Sequence, residues 1–114
     1  MRGIKMKRFS MYALALSIGC AAPLAMAGGD AAAGKEKAVV CFACHGEDGN
    51  GTNPIYPIIR GQYADYMVFT MKAYKDGRRQ NEVMAPMMQP LSEQDMEDIA
   101  AYYAGLPDGL KTIE

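Results

Sequence analysis

The chain has 114 residues, with 12 basic and 13 acidic side chains and a formal net charge of −1. That is the size of one small domain, without the basic excess a nucleic-acid binder needs. With three cysteines and one histidine, neither a disulfide framework nor a four-ligand zinc site is in reach.

The first 27 residues read as a secretory signal peptide. Arg2, Lys5, Lys7 and Arg8 form a basic start, Met11 to Ala22 an apolar run, and Ala25-Met26-Ala27 an A-x-A cleavage site. An apolar run of about a dozen residues falls short of the roughly 20 needed to span a bilayer. The alternative is a retained N-terminal anchor. A lipoprotein reading at Cys20 fits poorly, because Ser17-Ile18-Gly19 precedes it. Cleavage after Ala27 leaves residues 28–114, 87 of the 114, as the mature domain. The signal carries four of the 12 basic residues and none of the 13 acidic ones, leaving eight against 13 and a net charge of −5. Such a domain is open to electrostatic steering toward a basic partner, with a rate that falls as salt rises.

Asp30 is placed to cap a first helix running from Ala31 through Val40. It leads into Cys41-Phe42-Ala43-Cys44-His45, a C-x-x-C-H motif. This is the attachment spacing of a c-type haem: two thiols three positions apart reach the two vinyl groups of one porphyrin edge, and the next histidine faces the iron. A thioredoxin-type dithiol would sit in a βαβ unit, and no such pattern is present. Export agrees with the motif, since bacterial c-type haems are attached outside the cytoplasmic membrane. The haem would take both cysteines of the mature domain. No disulfide is then available to a small core, and the apoprotein is expected to fold poorly.

Gly46 to Gly61, rich in Gly, Asn and Pro, reads as a long functional loop. Gln62 to Asp76 reads as a second helix, with Tyr63, Tyr66, Met67, Thr70, Met71 and Tyr74 on one face and Gly77 as its stop. Arg78 to Leu91, with Pro86 and Pro90, reads as irregular. Ser92 then caps a last helix that ends at Gly105-Leu106-Pro107. The run Glu93, Asp95, Glu97 and Asp98 is either a docking patch or, more simply, a solvated helix start. The result is an all-α fold of three main helices and long loops around one haem.

His45 is the only histidine, so a second protein ligand to the iron must be another residue type. A thioether is the natural candidate and raises the reduction potential. Met67, Met71 and Met96 fall on predicted helices, where core packing is the plain reading. Met84, Met87 and Met88 lie in the Pro-containing stretch, from which any of the three could reach the iron.

The order of these parts resembles a class I cytochrome c, and more narrowly one domain of the bacterial di-haem c-four cytochromes and their single-haem relatives. The matching segments are Ala43-Cys44-His45-Gly46-Glu47-Asp48-Gly49-Asn50-Gly51, Tyr56-Pro57, Gly61-Gln62, Tyr66, and Lys75-Asp76-Gly77-Arg78-Arg79. Further on they are Asn81-Glu82-Val83-Met84-Ala85-Pro86-Met87, Leu91-Ser92-Glu93-Gln94-Asp95, and Ile99-Ala100-Ala101-Tyr102-Tyr103. The resemblance covers nearly all of residues 30–106. It implies Met84 as the axial ligand, through the Asn-x-x-Met pattern, with Met87 and then Met88 as runners-up. It implies that the Pro57 carbonyl takes the His45 Nδ1 proton, that Arg79 pairs with a haem propionate, and that Gly34 and Tyr102 lie where the first and last helices cross. The sequence departs at Ile58-Ile59-Arg60, where the family more often has Leu-Ala before Gly-Gln; Ile59 is the candidate haem-lining residue there. The chain ends at Glu114, and a single haem domain is expected.

The function implied is that of a periplasmic electron carrier, using a His45/Met84-ligated haem c to exchange one electron with redox protein partners. Transient contact with membrane-bound oxidoreductases belongs to that role; nucleic acid and small-molecule substrates do not. An electron-entry subunit of a larger oxidoreductase is the first alternative. A small haem peroxidase or gas-binding protein is the second. It would need an open distal site, and the chain has no further histidine to serve as acid or base there.

Overall fold

The computed structural model describes residues 28–110 and Gly19. The signal segment and its cleavage site therefore lie outside the described residues, Gly19 and Gly28 apart. Five α-helices lie among the described residues: α1 (Ala31–Lys37), α2 (Phe42–His45), α3 (Ala64–Asp76), α4 (Met84–Met88) and α5 (Glu93–Ala104). No strand occurs among the described residues, and the fold is all-α as expected, its three longest helices being α1, α3 and α5.

Asp30 caps α1, its carboxylate accepting from Ala32 N at 2.9 Å and Ala33 N at 3.2 Å. The expected single helix is instead tightened to a 3₁₀ turn over Ala38–Cys41 before it reopens as α2. The tightening coincides with Val39-Val40, whose branched Cβ atoms crowd the preceding turn. Helix α3 starts two residues later than expected. Gly61 and Gln62 are held in a turn, Gly61 N donating to Tyr103 O at 2.8 Å and Gln62 N to Ile59 O at 3.2 Å. At its far end Gly77 adopts φ +82°, the left-handed stop that the sequence suggests.

The stretch expected to be irregular contains α4. Pro86 is the third residue of that helix, within the first turn, where an N–H has no intrahelical partner and proline is tolerated. Ser92 and Asp95 close a reciprocal capping box at the start of α5.

Helices α1 and α5 cross at Gly34, which is buried. A methyl group on Gly34 would sit 1.8 Å from the Asp98 carbonyl oxygen, so the two backbones approach as closely as glycine alone allows. The expected aromatic residue of this crossing, Tyr102, lies on α5 and reaches toward α2. The ring of Tyr102 lies 6.2 Å from that of Phe42, and its hydroxyl donates to Glu47 O at 2.6 Å.

Three of the four acids of the α5 run, Glu93, Asp95 and Asp98, are paired within the fold. The buried Asp98 carboxylate accepts from Asp30 N at 2.8 Å, Lys37 Nζ at 2.5 Å and Gln94 Nε2 at 2.9 Å. Lys37 also pairs with Asp95 at 2.9 Å, and Glu93 pairs with Lys72. Lys37 holds the carboxyls of Asp95 and Asp98 below the usual range, Asp95 down to about 2. A carboxyl lowered in the folded state adds stability above its unfolded pKa of about 3.9, and that stability is lost as pH falls through the folded value. Denaturant midpoints should therefore stay level from neutrality to about pH 4 and drop between about pH 4 and pH 2. In Asp98→Asn that drop should shrink; an unchanged drop would assign acid sensitivity to other groups.

Candidate functional site

One apolar cavity of about 440 Å³ is bounded by four helices and the loop after α2, within the size range of small-molecule and cofactor sites. Helix α2 and the turn before it supply Cys41, Cys44 and His45; the loop supplies Pro57 and Ile59. Helix α3 supplies Met67 and Met71, α4 supplies Met84 and Met88, and α5 supplies Ile99 and Tyr103. Arg79 and Asn81 line it between α3 and α4. Seven residues singled out from the sequence, Cys41, Cys44, His45, Pro57, Ile59, Arg79 and Met84, thus meet on one cavity.

The geometry of His45 decides what it can do. Its ring is buried, and Nδ1 lies 2.8 Å from Pro57 O. A carbonyl oxygen can only accept, so Nδ1 carries the proton and Nε2 presents a lone pair. The loop that brings Pro57 there is pinned to the motif. Gly51 N donates to His45 O at 2.7 Å, Thr52 N to Cys44 O at 2.9 Å, and Thr52 Oγ1 to Ala43 O at 2.8 Å. Its middle is folded back at Gly49, which has φ +72° and lies so near Arg60 that a Cβ would come within 2.8 Å of Arg60 N. From the other side, the buried Tyr103 hydroxyl donates to Gly46 O at 3.0 Å. The histidine is therefore held at its ring, at the residue after it and through its carbonyl.

Cys41 and Cys44 are half-buried and both line the cavity, with no disulfide between them. Among the described residues no group of three or more His, Cys, Asp or Glu side chains is gathered so as to hold a metal ion directly. The donors present are one imidazole nitrogen, several thioethers and two thiols around an apolar cleft. That set fits a flat apolar macrocycle with a central soft-to-borderline metal, held at its edge by the thiols.

Of the three candidate methionines, Met84 and Met88 line the cavity; Met87 packs against the core without lining it. Met84 is half-buried at the first turn of α4, whereas Met88 is 3% exposed. Met67 and Met71, read from the sequence as core residues, are both core and cavity wall. The three-and-four spacing of α3 was the available signal. Arg79 is exposed, and its guanidinium lies over the Tyr74 ring, 4.9 Å from the centroid. Tyr74 also lines the cavity, so this pair is a cationic corner on an otherwise apolar wall.

The family model described as cytochrome c matches residues 31–106. The chain is 53% identical over 79 residues to cytochrome c-554(548) of Halomonas halodenitrificans, covering 67% of this chain and 95% of that one. It is 47% identical over 94 residues to cytochrome c4 of Pseudomonas aeruginosa, covering 82% of this chain and 46% of the relative. The crystal structure of reduced recombinant cytochrome c4 from Pseudomonas stutzeri superposes with a TM-score of 0.65 at 41% identity, over 68% of this chain and 46% of that one. The chain thus spans nearly all of the first relative and about half the length of the cytochrome c4 chains.

Proposed function

This chain belongs to the cytochrome c family, and from that premise we propose that it is a periplasmic one-electron carrier with iron held between His45 and Met84. Its cofactor is covalently bound haem c, which supplies the one-electron iron couple. Cys41 and Cys44 fit the attachment motif. The observation that carries the reading is the shared cavity: His45 with its Nδ1 proton fixed by Pro57 O, and Met84 on the wall formed by α4. His45 and Met84 would hold the iron, and with both bound no position would be left for a substrate. Arg79, steadied on Tyr74, is the donor for a propionate. Ile59, tied by its N–H to Gly49 O at 2.8 Å, lines the pocket and excludes water.

The periplasmic location rests on the leader of residues 1–27. No helix among the described residues is long and apolar enough to cross a membrane.

The mouth of the cavity supports docking by apolar contact. Ile55, Ile58, Tyr66 and Val83 line it and are all exposed, and among the described residues no carboxylate lines it. Among the described residues Arg79 is the one Lys or Arg side chain on the cavity wall. The acidic side chains behind the net charge therefore lie off the cavity lining. Electron exchange with a charged partner should change by less than about tenfold between low and high salt, below the 10–10³ range of steered association. Stopped-flow rates across ionic strength measure this, and a hundredfold fall would restore charge steering as the main term.

Visible and near-infrared spectra of the purified holoprotein in both oxidation states test the coordination. A sulfur-to-iron band in the ferric form and slow carbon monoxide binding by the ferrous form are expected. Rapid carbon monoxide binding at neutral pH would favour a gas-binding or peroxidase role.

A second reading, a subunit held in a larger oxidoreductase, is favoured by exposed Val39, Val40 and Phe69, which lie outside the cavity lining. Size determination of the protein from its native extract separates the two.

A further inference from the structure

Helix α4 carries Met84 but has only five residues, Met84–Met88. Helices that short do not hold themselves, because nucleation is costly and few internal bonds repay it. Something outside the helix must fix its first turn. The residue preceding it, Val83, makes no side-chain cap. Instead the Asn81 side-chain oxygen accepts from Val83 N at 2.9 Å and from Met84 N at 2.9 Å. The Asn81 backbone carbonyl accepts from Ala85 N at 3.0 Å. Three consecutive amides at the start of α4 thus converge on one residue, which also lines the cavity.

We propose that Asn81 is a positioning residue for the thioether: its side-chain oxygen fixes the backbone of Met84 and so sets how often the sulfur leaves the iron. This rests on Met84 being the sulfur ligand. Asn81 touches the Met84 backbone and acts through it. The other end of α4 is anchored separately, Gln89 Nε2 donating to Lys75 O at 3.0 Å and Lys75 Nζ to Leu91 O. Loss of the Asn81 contacts therefore frees the first turn, where Met84 sits, while the remainder stays docked.

The test uses the holoprotein and imidazole as the probe. In ferric protein the entry of imidazole requires the thioether to leave, so its binding rate reports Met84 release. Asn81→Ala should bind imidazole about tenfold faster, within the range that loss of a helix cap carries, and should weaken the sulfur-to-iron band. Asn81→Asp keeps an acceptor at the same place and should return the rate to within about twofold of the parent. Met84→Ala, measured beside them, must lose the band. If it does while Asn81→Ala binds imidazole at the parent rate, the positioning role is overturned and the ligand assignment stands. If Met84→Ala keeps the band, the ligand assignment falls and the inference falls with it. Should Asn81→Ala not yield holoprotein, amide exchange in the unmutated protein decides. Slow exchange at Val83 and Met84 is expected, and exchange at the rate of free loops overturns the proposal.

Discussion

Replacing Met84 by alanine is expected to abolish the sulfur-to-iron band of the ferric protein, lower the reduction potential and open the iron to carbon monoxide. The thioether favours ferrous over ferric iron, and each tenfold of that preference is about 59 mV for a one-electron couple. A fall on the order of 100 mV is a modest part of the roughly 0.8 V that axial ligands command. The side chain is half-buried, so the fold should persist. The neighbouring methionines give contrasting outcomes. Met88 is 3% exposed, and Met88→Ala should cost about 2–5 kcal/mol of stability by leaving a core cavity while the band remains. Met87 does not line the cavity, and Met87→Ala should leave band and potential unchanged. If Met87→Ala removes the band and Met84→Ala does not, the ligand is Met87.

What could be read from the sequence were the features whose physics is local. The haem motif is five adjacent residues. Ser92 and Gly77 announce their helix ends because capping and left-handed backbone are properties of single positions. Helix α4 was hidden by Pro86 and Pro90, which argue for a loop unless the first turn of a helix falls on Pro86, and only the placement of Asn81 makes it do so. Met67 and Met71 carried the correct spacing for a core face, but a core residue and a cavity wall have the same periodicity. The acidic run of α5 was ambiguous for a different reason. Lys37 lies some sixty residues earlier in the chain, and no local pattern tells a solvated Asp98 from one buried beneath Lys37, Gln94 and the Asp30 amide.

Gly34→Ala is expected to destabilise the protein strongly, and Gly34→Val to prevent recovery of folded holoprotein. On helix propensity alone, alanine for glycine at an interior position gains about 1 kcal/mol. Here the added methyl would lie 1.8 Å from the Asp98 carbonyl oxygen and 2.4 Å from its carbon. Both are backbone atoms, so no rotamer change relieves the contact, and α1 must move away from α5. That movement strains the bonds of Asp98 to Asp30 N and Lys37 and, through α1, the placement of the haem motif. Overpacking costs typically about 1–3 kcal/mol and more where backbone must shift, against a total stability of about 5–15 kcal/mol. The clash therefore outweighs the propensity gain. A net loss of about 2 kcal/mol or more should lower the urea midpoint of Gly34→Ala by about 1 M or more, at slopes of about 1–2 kcal/mol/M. Ala32→Val, on the exposed side of the same helix, should cost only about 0.5 kcal/mol. A Gly34→Ala protein as stable as its parent would mean that α1 and α5 do not meet at this distance, and the cavity built on their crossing would need to be redrawn.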